Sequence, residues 1–164
     1  TLRDLVKFVL AMRPDRIVVG EVRGAEAFEL SRAVNAGCGF LCTVHANSAS
    51  EALAALVNAA LMAGENVTER IVRKVFSESL DVVVHLERDD VGGDAEHLRR
   101  RVVEIVAVVP SLRDDFTIEP LFVRDDRRGA LRWTGALPPS LVARLERVDG
   151  VDVHAVLAAT GDAS

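Results

Sequence analysis

The most constraining feature of this sequence is a pair of short apolar runs, Ile17–Val19 and Phe40–Cys42, separated by a helical pattern. Each run is too short to form a helix alone and is rich in strand-favouring residues, so both are predicted to be buried strands. Between them, residues 24–36 carry apolar side chains at helical spacing and end before Gly37, which suits a left-handed helix cap. A strand, a crossover helix and a second strand form a βαβ unit, so we expect two parallel neighbouring strands.

A titratable residue follows each of these strands within three positions. Glu21 comes after the first strand and His45 after the second. The carboxyl ends of parallel strands meet at one edge of the sheet, where open α/β sheets bind ligands. A carboxylate there can polarise a water molecule that attacks a phosphate, or hold Mg²⁺ indirectly. The alternatives are an ion pair of Glu21 with Arg23 or Arg16, and a neutral His45 that is hydrogen-bonded to a backbone carbonyl.

Two short motifs stand at these strand ends. They are Gly-Glu-x-Arg, formed by Gly20, Glu21 and Arg23, and Thr-x-His-Ala, formed by Thr43, His45 and Ala46. Together and in this order they resemble the Walker B strand and the His box of the type II and type IV secretion ATPases. The resemblance is greatest to the TadA/CpaF group, which powers assembly of Flp-type pili, and it extends from about Leu2 to about Leu157. It implies an α/β fold: the C-terminal portion of a RecA-like P-loop NTPase core, with a mostly parallel sheet, flanking helices and antiparallel strands toward the C-terminus.

The resemblance also implies roles for single residues. Glu21 would be the catalytic carboxylate that activates water or is linked indirectly to Mg²⁺, and His45 would sense the terminal phosphate of ATP. Thr43 and Asn47 would orient the imidazole. The residues implied in nucleotide binding are Gly20, Arg23, Thr43, Asn47 and Arg13. The implied cofactors are ATP and Mg²⁺, and the implied assembly is a homo-hexamer that works with inner-membrane platform proteins of a pilus or secretion system.

The sequence lacks the phosphate cradle that such an ATPase needs. A P-loop has the form G-x-x-x-x-G-K-[ST], whose glycines let backbone N–H groups face the phosphates. The only lysines are Lys7 and Lys74, neither follows a glycine, and the family's acidic Asp box is also absent. Smaller departures from the family are Ala11, Cys38 and Cys42. We therefore expect a fragment, or the product of a truncated reading frame, that holds half of an ATP site and is inactive alone. The alternative is a non-catalytic fragment or pseudo-ATPase that acts as an oligomerisation or interaction module.

Composition sets limits on partners and location. The 164 residues carry a formal net charge of −5 without a basic excess, so direct nucleic acid binding is not expected. No apolar run approaches the ~18 residues of a transmembrane segment. We expect a cytoplasmic protein that is peripheral to the inner face of the cell membrane through its partners. His85, His97 and His154 show no metal-ligand spacing, and the C-x3-C cysteine pair is interpreted as structural.

The remaining pattern predicts a partial RecA-like ATPase domain at residues 1–110 and a C-terminal strand pair with helices, packed on the same core, at 111–164. Because half of a RecA-like sheet would be missing, we expect exposed apolar surface and self-association. The later strands are expected to form the antiparallel edge of the same sheet. Helices are predicted at residues 2–12, 48–61, 68–79, 139–148 and 152–158, strands at 82–86, 101–110, 117–123 and 131–134, and turns at 92–93 and 125–129.

Overall fold

A computed structural model describes residues 1–64, 66, 68–89, 99–111, 115–125, 129–147, 150 and 152–155 of the chain. The helices in these residues are α1 (Leu2–Ala11), α2 (Glu26–Asn35), α3 (Ala49–Leu61), α4 (Glu69–Ser79) and α5 (Pro139–Leu145). The strands are β1 (Arg16–Val19), β2 (Gly39–Cys42), β3 (Val82–Asp89), β4 (Arg99–Val109), β5 (Thr117–Arg124) and β6 (Leu131–Trp133). The chain divides into two compact units, the first made of Thr1–Leu80 and Ser111–Phe116, the second of Asp81–Pro110 and Thr117–Ser164.

The predicted strand–helix–strand arrangement is confirmed in the first unit. β1 and β2 pair in parallel, with Ile17 opposite Phe40. α2 connects the two strands and packs against β2 and against α1, α3 and α4. Its residues Ala27, Leu30 and Ala33, which follow the predicted helical spacing, are fully buried. α2 is therefore the central element of this unit's core.

The two strands are covered on one face only, whereas the sequence predicts strands buried on both faces. Ile17 and Val19 are buried, but Val18 is 72% exposed and its register partner Leu41 is 65% exposed. Uninterrupted apolar strands are typical of parallel sheets that carry helices on both faces. Among the described residues, no layer covers Val18 and Leu41, so this apolar face is open. The expected exposure of apolar surface is confirmed.

Local hydrogen bonds fix where two of the helices begin. Thr1 and Asp4 form a reciprocal capping box at the start of α1. At the start of α3, the Ser48 hydroxyl accepts from the backbone N–H of Glu51 at 3.1 Å, as predicted. The other half of this predicted capping box is replaced, because the Glu51 carboxylate accepts from the backbone N–H of Asn47 at 3.1 Å.

The chain leaves α1 through a residue in the left-handed backbone region. Arg13 has a φ of 52°, and its N–H donates to the carbonyl of Leu10 at 3.0 Å. Glycine is the usual residue in this position, and a side chain there costs roughly 1–2 kcal/mol. Pro14 then ends the helix, as predicted, and directs the chain into β1.

The second unit is built on an antiparallel sheet with the strand order β3-β4-β5-β6. Antiparallel strands toward the C-terminus are thus confirmed, but they form a sheet of their own and do not extend the β1–β2 pair. β3 is an edge strand of this sheet and pairs with β4 along its whole length, from Val82 opposite Ala107 to Asp89 opposite Arg99. The core of the unit lies between this sheet and α5, where Leu141 of α5 joins the cluster of Ala107 and Leu121.

Position 110, the expected domain boundary, lies between β4 and β5, which are hydrogen-bonded neighbours. The compact units therefore have other bounds, and the division into 1–110 and 111–164 stays a prediction about the whole protein. The predicted turn at 92–93, the centre of the turn at 125–129, residue His97 and residues 156–158 lie outside the described residues; residues 153–155 are helical. Within the part of the chain that the structure describes, no helix is long and apolar enough to span a bilayer.

Candidate functional site

Hydrogen bonds beyond the strand register join the carboxyl ends of β1 and β2. The Thr43 hydroxyl donates to the carbonyl of Gly20 at 2.5 Å, and the backbone N–H of Val22 donates to the carbonyl of Thr43 at 2.8 Å. Glu21 lies between the two residues that Thr43 binds, and His45 follows Thr43 by two positions. The predicted meeting of Glu21 and His45 at one edge of the sheet is thus present.

The Glu21 carboxylate is contacted through both of its oxygens. His45 Nε2 lies 2.7 Å from Oε1, and Arg23 Nη2 lies 2.5 Å from Oε2. Oε1 is buried, and apart from this contact with His45 it has no polar partner among the described residues. The His45 side chain is 89% exposed and that of Glu21 is 26% exposed. Oε1 therefore lies beneath an imidazole that solvent surrounds on its other sides.

Arg23 controls the charge of this site. Its hydrogen bond is the main cause that lowers the pKa of Glu21 below the usual value, against burial, and the charge of Arg23 together with the charge and close contact of His45 adds to the effect. Glu21 in turn raises the pKa of Arg23. Glu21 is therefore ionised at neutral pH. An ionised carboxylate with one unsatisfied oxygen can accept a hydrogen bond or a proton from water once the imidazole moves aside.

Glu26 is a further residue of the site that was not predicted. Its carboxylate turns back from the start of α2 and accepts from the backbone N–H groups of Arg23 at 2.7 Å and Gly24 at 3.0 Å. Burial by itself would raise the pKa of Glu26, but the backbone N–H groups of Arg23, Glu26 and Gly24 together lower it. The signal that could have indicated Glu26 is an acidic residue in the first turn of the predicted helix.

The hydrogen bonds of the Thr43 and Asn47 side chains do not go to the imidazole that these residues are expected to orient. The Thr43 hydroxyl binds Gly20 instead. The side-chain amide of Asn47 donates to Glu51 at 2.9 Å and so belongs to the start of α3. Both residues stand near His45 in the chain, but their hydrogen bonds hold the backbone on either side of it.

Arg13 is not brought to the site either. It precedes β1, whereas Glu21 follows β1, so the two residues lie at opposite ends of the strand. Arg13 serves the turn between α1 and β1, and its place in a nucleotide site stays a prediction.

An open cleft of about 410 Å³ lies beside the Glu21 carboxylate. One wall is formed by the strand ends, and the other by α3, whose contribution to the site was not predicted because it depends on how the helix packs. The residues that line the cleft are Glu21, Val22, Arg23, Val44, His45, Ala55, Asn58, Ala59 and Met62. The cleft is mostly apolar, and its charged groups are concentrated at the strand ends.

The described histidines and cysteines outside this site lie in surroundings that suit a structural role. In the described residues, no three His, Cys, Asp or Glu side chains are arranged to hold a metal ion. His85 is nearly buried, with Nδ1 at 3.6 Å from Glu104 Oε1, and His154 is exposed. Cys38 is buried, and burial raises the pKa of the Cys42 thiol to about 11. These surroundings suit the structural interpretation of both cysteines.

Comparison with known protein families shows the family to which this chain belongs. The family described as "Type II/IV secretion system protein" matches residues 1–106 of the 164 residues. The chain belongs to this family. The matched region includes both motifs and therefore the whole of the Glu21–His45 site.

Curated relatives of this type II/IV secretion family member include conjugal transfer and secretion proteins. The chain is 39% identical over 109 residues to a putative conjugal transfer protein of Mycobacterium tuberculosis, covering 66% of this chain and 29% of that protein. It is 35% identical over 105 residues to the conjugal transfer protein TrbB of Rhizobium radiobacter, covering 63% and 29%. It is 35% identical over 108 residues to the type IV secretion system protein PtlH of Bordetella pertussis, covering 62% and 30%. The chain thus spans less than a third of the length of these relatives.

A solved structure of a secretion ATPase has a fold similar to that of this secretion family member. The crystal structure of the VirB11 ATPase from the Brucella suis type IV secretion system, in complex with sulphate, matches with a TM-score of 0.54 and 28% identity. The match covers 64% of this chain and 31% of that one. The predicted α/β fold, as the C-terminal portion of a P-loop ATPase, is confirmed.

Proposed function

We propose that this chain supplies the Walker B glutamate and the His box of an ATPase of the TadA/CpaF group, which drives Flp-type pilus assembly or type II/IV secretion. The observation that carries the proposal is the contact of His45 Nε2 with Glu21 Oε1 at 2.7 Å, at the carboxyl ends of two parallel strands. Family membership and the relatives' names support a secretion ATPase. The choice of the TadA/CpaF group rests on the two motifs.

Glu21 is the catalytic residue in this proposal. Its ionised carboxylate accepts a hydrogen bond from the attacking water through Oε1, and Arg23 keeps Oε2 occupied so that the charge stays fixed. His45 moves from Oε1 to the terminal phosphate as water enters, which its exposure allows. Because phosphoryl transfer depends on positioning and charge neutralisation, small shifts of these two side chains are enough to matter.

The residues present would form one part of a binding site for ATP and Mg²⁺. The unsatisfied Glu21 Oε1 suits a water that is bound to Mg²⁺ or attacks the phosphate, and Mg²⁺, when bound, neutralises phosphate charge. The remaining nucleotide contacts are proposed for Gly20, Arg23, Thr43, Asn47 and Arg13. The 164 residues contain no P-loop sequence to cradle the other phosphates. We therefore propose that this chain is inactive alone.

The proposal includes the setting of the whole protein. A homo-hexamer would act at the inner face of the cell membrane, in the cytoplasm, on platform proteins of the pilus or secretion system. The open face around Val18 and Leu41 supports the view that further layers cover this sheet in the whole protein.

A second candidate function is a non-catalytic interaction module. It is favoured by the missing P-loop sequence together with the apolar side chains of Phe8, Val18 and Leu41, each of which is more than half exposed. In this case the Glu21–Arg23–His45 contacts serve only to hold the strand ends.

Complementation of ATP hydrolysis tests the proposal. The chain is assayed alone and mixed with the P-loop half of a related secretion ATPase, as wild type and as Glu21→Gln. We expect no hydrolysis by the chain alone, activity on mixing, and a loss of roughly 10²- to 10⁴-fold with Glu21→Gln, because the amide cannot accept the proton of the attacking water.

Glu78→Gln is the matched control. It makes the same carboxylate-to-amide change at an exposed position of α4 that pairs with Lys74 at 4.0 Å. The control should retain the restored activity. No activity and no nucleotide binding in the mixture would favour the interaction module, and equal losses in both variants would remove Glu21 from the mechanism.

A further inference from the structure

The loop that carries Arg23 is held by a carboxylate from inside the following helix. α2 begins after Ala25, which provides no side-chain cap. Glu26 is the first residue of α2, and its buried carboxylate reaches back to the N–H groups of Arg23 and Gly24. Both groups precede the helix, so the bonds fix the backbone of the loop between β1 and α2 and not only the helix end.

This fixation matters because the Arg23 side chain cannot hold itself in place. The side chain is 75% exposed, yet Nη2 lies 2.5 Å from Glu21 Oε2. A long exposed arginine loses rotamer entropy when it is held in one geometry, and an exposed ion pair by itself offsets little of that loss. The contact is therefore favoured when the backbone at Arg23 is already fixed.

We propose that Glu26 is a positioning residue for the Glu21 site: by fixing the backbone of Arg23, its carboxylate keeps the Arg23 guanidinium on Glu21 Oε2 and leaves Oε1 to His45. The importance of this arrangement for hydrolysis rests on the function proposed above. The arrangement itself depends only on the contacts among these four residues.

The sign of one measured quantity separates positioning from a simple charge effect. If Glu26 acted on Glu21 only through space, removal of its negative charge would lower the pKa of Glu21. If Glu26 acts through Arg23, loss of its hydrogen bonds to the loop loosens the guanidinium and raises the pKa of Glu21. The two mechanisms therefore predict opposite shifts.

The experiment measures the pKa of the Glu21 carboxyl group by ¹³C NMR in the 164-residue chain. The variants are Glu26→Ala, Arg23→Ala and the double variant. Alanine is used because the amide oxygen of a glutamine can still accept both backbone N–H groups, and the amide spectrum checks that each variant is folded. We expect Glu26→Ala to raise the pKa of Glu21 toward its usual value. In the Arg23→Ala background the same change should produce no rise, because the residue through which Glu26 acts is gone.

Glu51→Ala is the matched control, since the Glu51 carboxylate also accepts from a backbone N–H after a strand, that of Asn47. The proposal is overturned if Glu26→Ala lowers the pKa of Glu21 or leaves it unchanged. It is also overturned if the rise persists without Arg23, or if Glu51→Ala produces an equal rise. No nucleotide is present in this measurement, so its failure is distinct from a failure of ATP hydrolysis.

Discussion

The carboxylate of Glu29, on α2, forms ion pairs with Arg3 and Lys7 of α1. Replacing this carboxylate by an uncharged amide measures how much the ion pairs contribute to the free energy of unfolding of the first unit. The Glu29 side chain is 1% exposed. Oε1 lies 2.9 Å from Arg3 Nε and 3.5 Å from Lys7 Nζ, and Oε2 lies 3.4 Å from Arg32 Nη1. The three cations differ in exposure, at 22% for Arg3, 45% for Lys7 and 62% for Arg32.

These contacts give an expected magnitude for each change. Removal of one partner from a buried ion pair costs roughly 3–5 kcal/mol. Here the cations are partly in solvent, and Glu29→Gln keeps the shape and one acceptor, so we expect about 2–3 kcal/mol. Arg3→Met removes a short charge-assisted hydrogen bond and should cost about 1.5–3 kcal/mol. Lys7→Met and Arg32→Met should each cost less than about 1 kcal/mol, because exposed pairs contribute little.

Amide hydrogen exchange of Leu30 and Ala33 is the appropriate assay. Both residues are fully buried in α2, so their exchange reports opening of the first unit separately from the second. A cost of 2–3 kcal/mol corresponds to exchange that is roughly 30- to 150-fold faster in Glu29→Gln. Glu78→Gln, an exposed change of the same kind, should leave the rates within about twofold.

The order of the three cation variants is the critical result. Arg3→Met must accelerate exchange more than Lys7→Met and Arg32→Met. An equal or larger effect of Arg32→Met would refute the reasoning from burial. So would removal of the Glu29→Gln effect by 1 M salt, since salt screens exposed pairs far more than buried ones.

Three further predictions concern the core, a thiol and the site. Phe76→Ala should cost about 3–5 kcal/mol in the free energy of opening measured by hydrogen exchange, because Phe76 is fully buried and packs edge-on against Phe40; exchange within twofold of wild type would contradict this. Since burial raises the pKa of Cys42 to about 11, its alkylation at pH 8 should be far slower in the folded chain than in urea, and equal rates would show that the thiol is not shielded. The lowered pKa of Glu21 contributes stability that is present above its unfolded pKa and is lost as pH falls through the folded pKa. The difference in urea midpoint between wild type and Glu21→Gln should therefore shrink in acid, and a difference that grows would reverse the assignment.

The parallel pair and the meeting of Glu21 with His45 are predictable from the sequence because they follow from pattern and topology. Two apolar runs that flank a helical pattern leave few arrangements, and a parallel crossover places both strand ends at one edge. The site then follows from counting residues beyond each strand. No knowledge of side-chain packing is needed for this step.

The details that were not predicted depend on choices among hydrogen-bond partners of similar strength. The Glu51 carboxylate accepts from the N–H of Asn47 instead of completing the capping box at Ser48. Glu26 binds backbone N–H groups of a loop that offers no Ser, Thr, Asp or Asn before its helix. Neither choice leaves a periodic signal in the sequence. The separate antiparallel sheet was missed for another reason: the pattern identifies β3 and its return strand, but it does not say whether they also join the β1–β2 pair.

The link between the two strand ends has a consequence for how such a site is inherited. The hydrogen bonds that form this link use backbone groups and the single hydroxyl of Thr43. The spacing of Glu21 and His45 therefore does not depend on which apolar residues fill the strands. Strand residues can drift in evolution while the two functional groups keep their separation. A recombination event that exchanges residues 16–45 would transfer both groups together, already at contact distance.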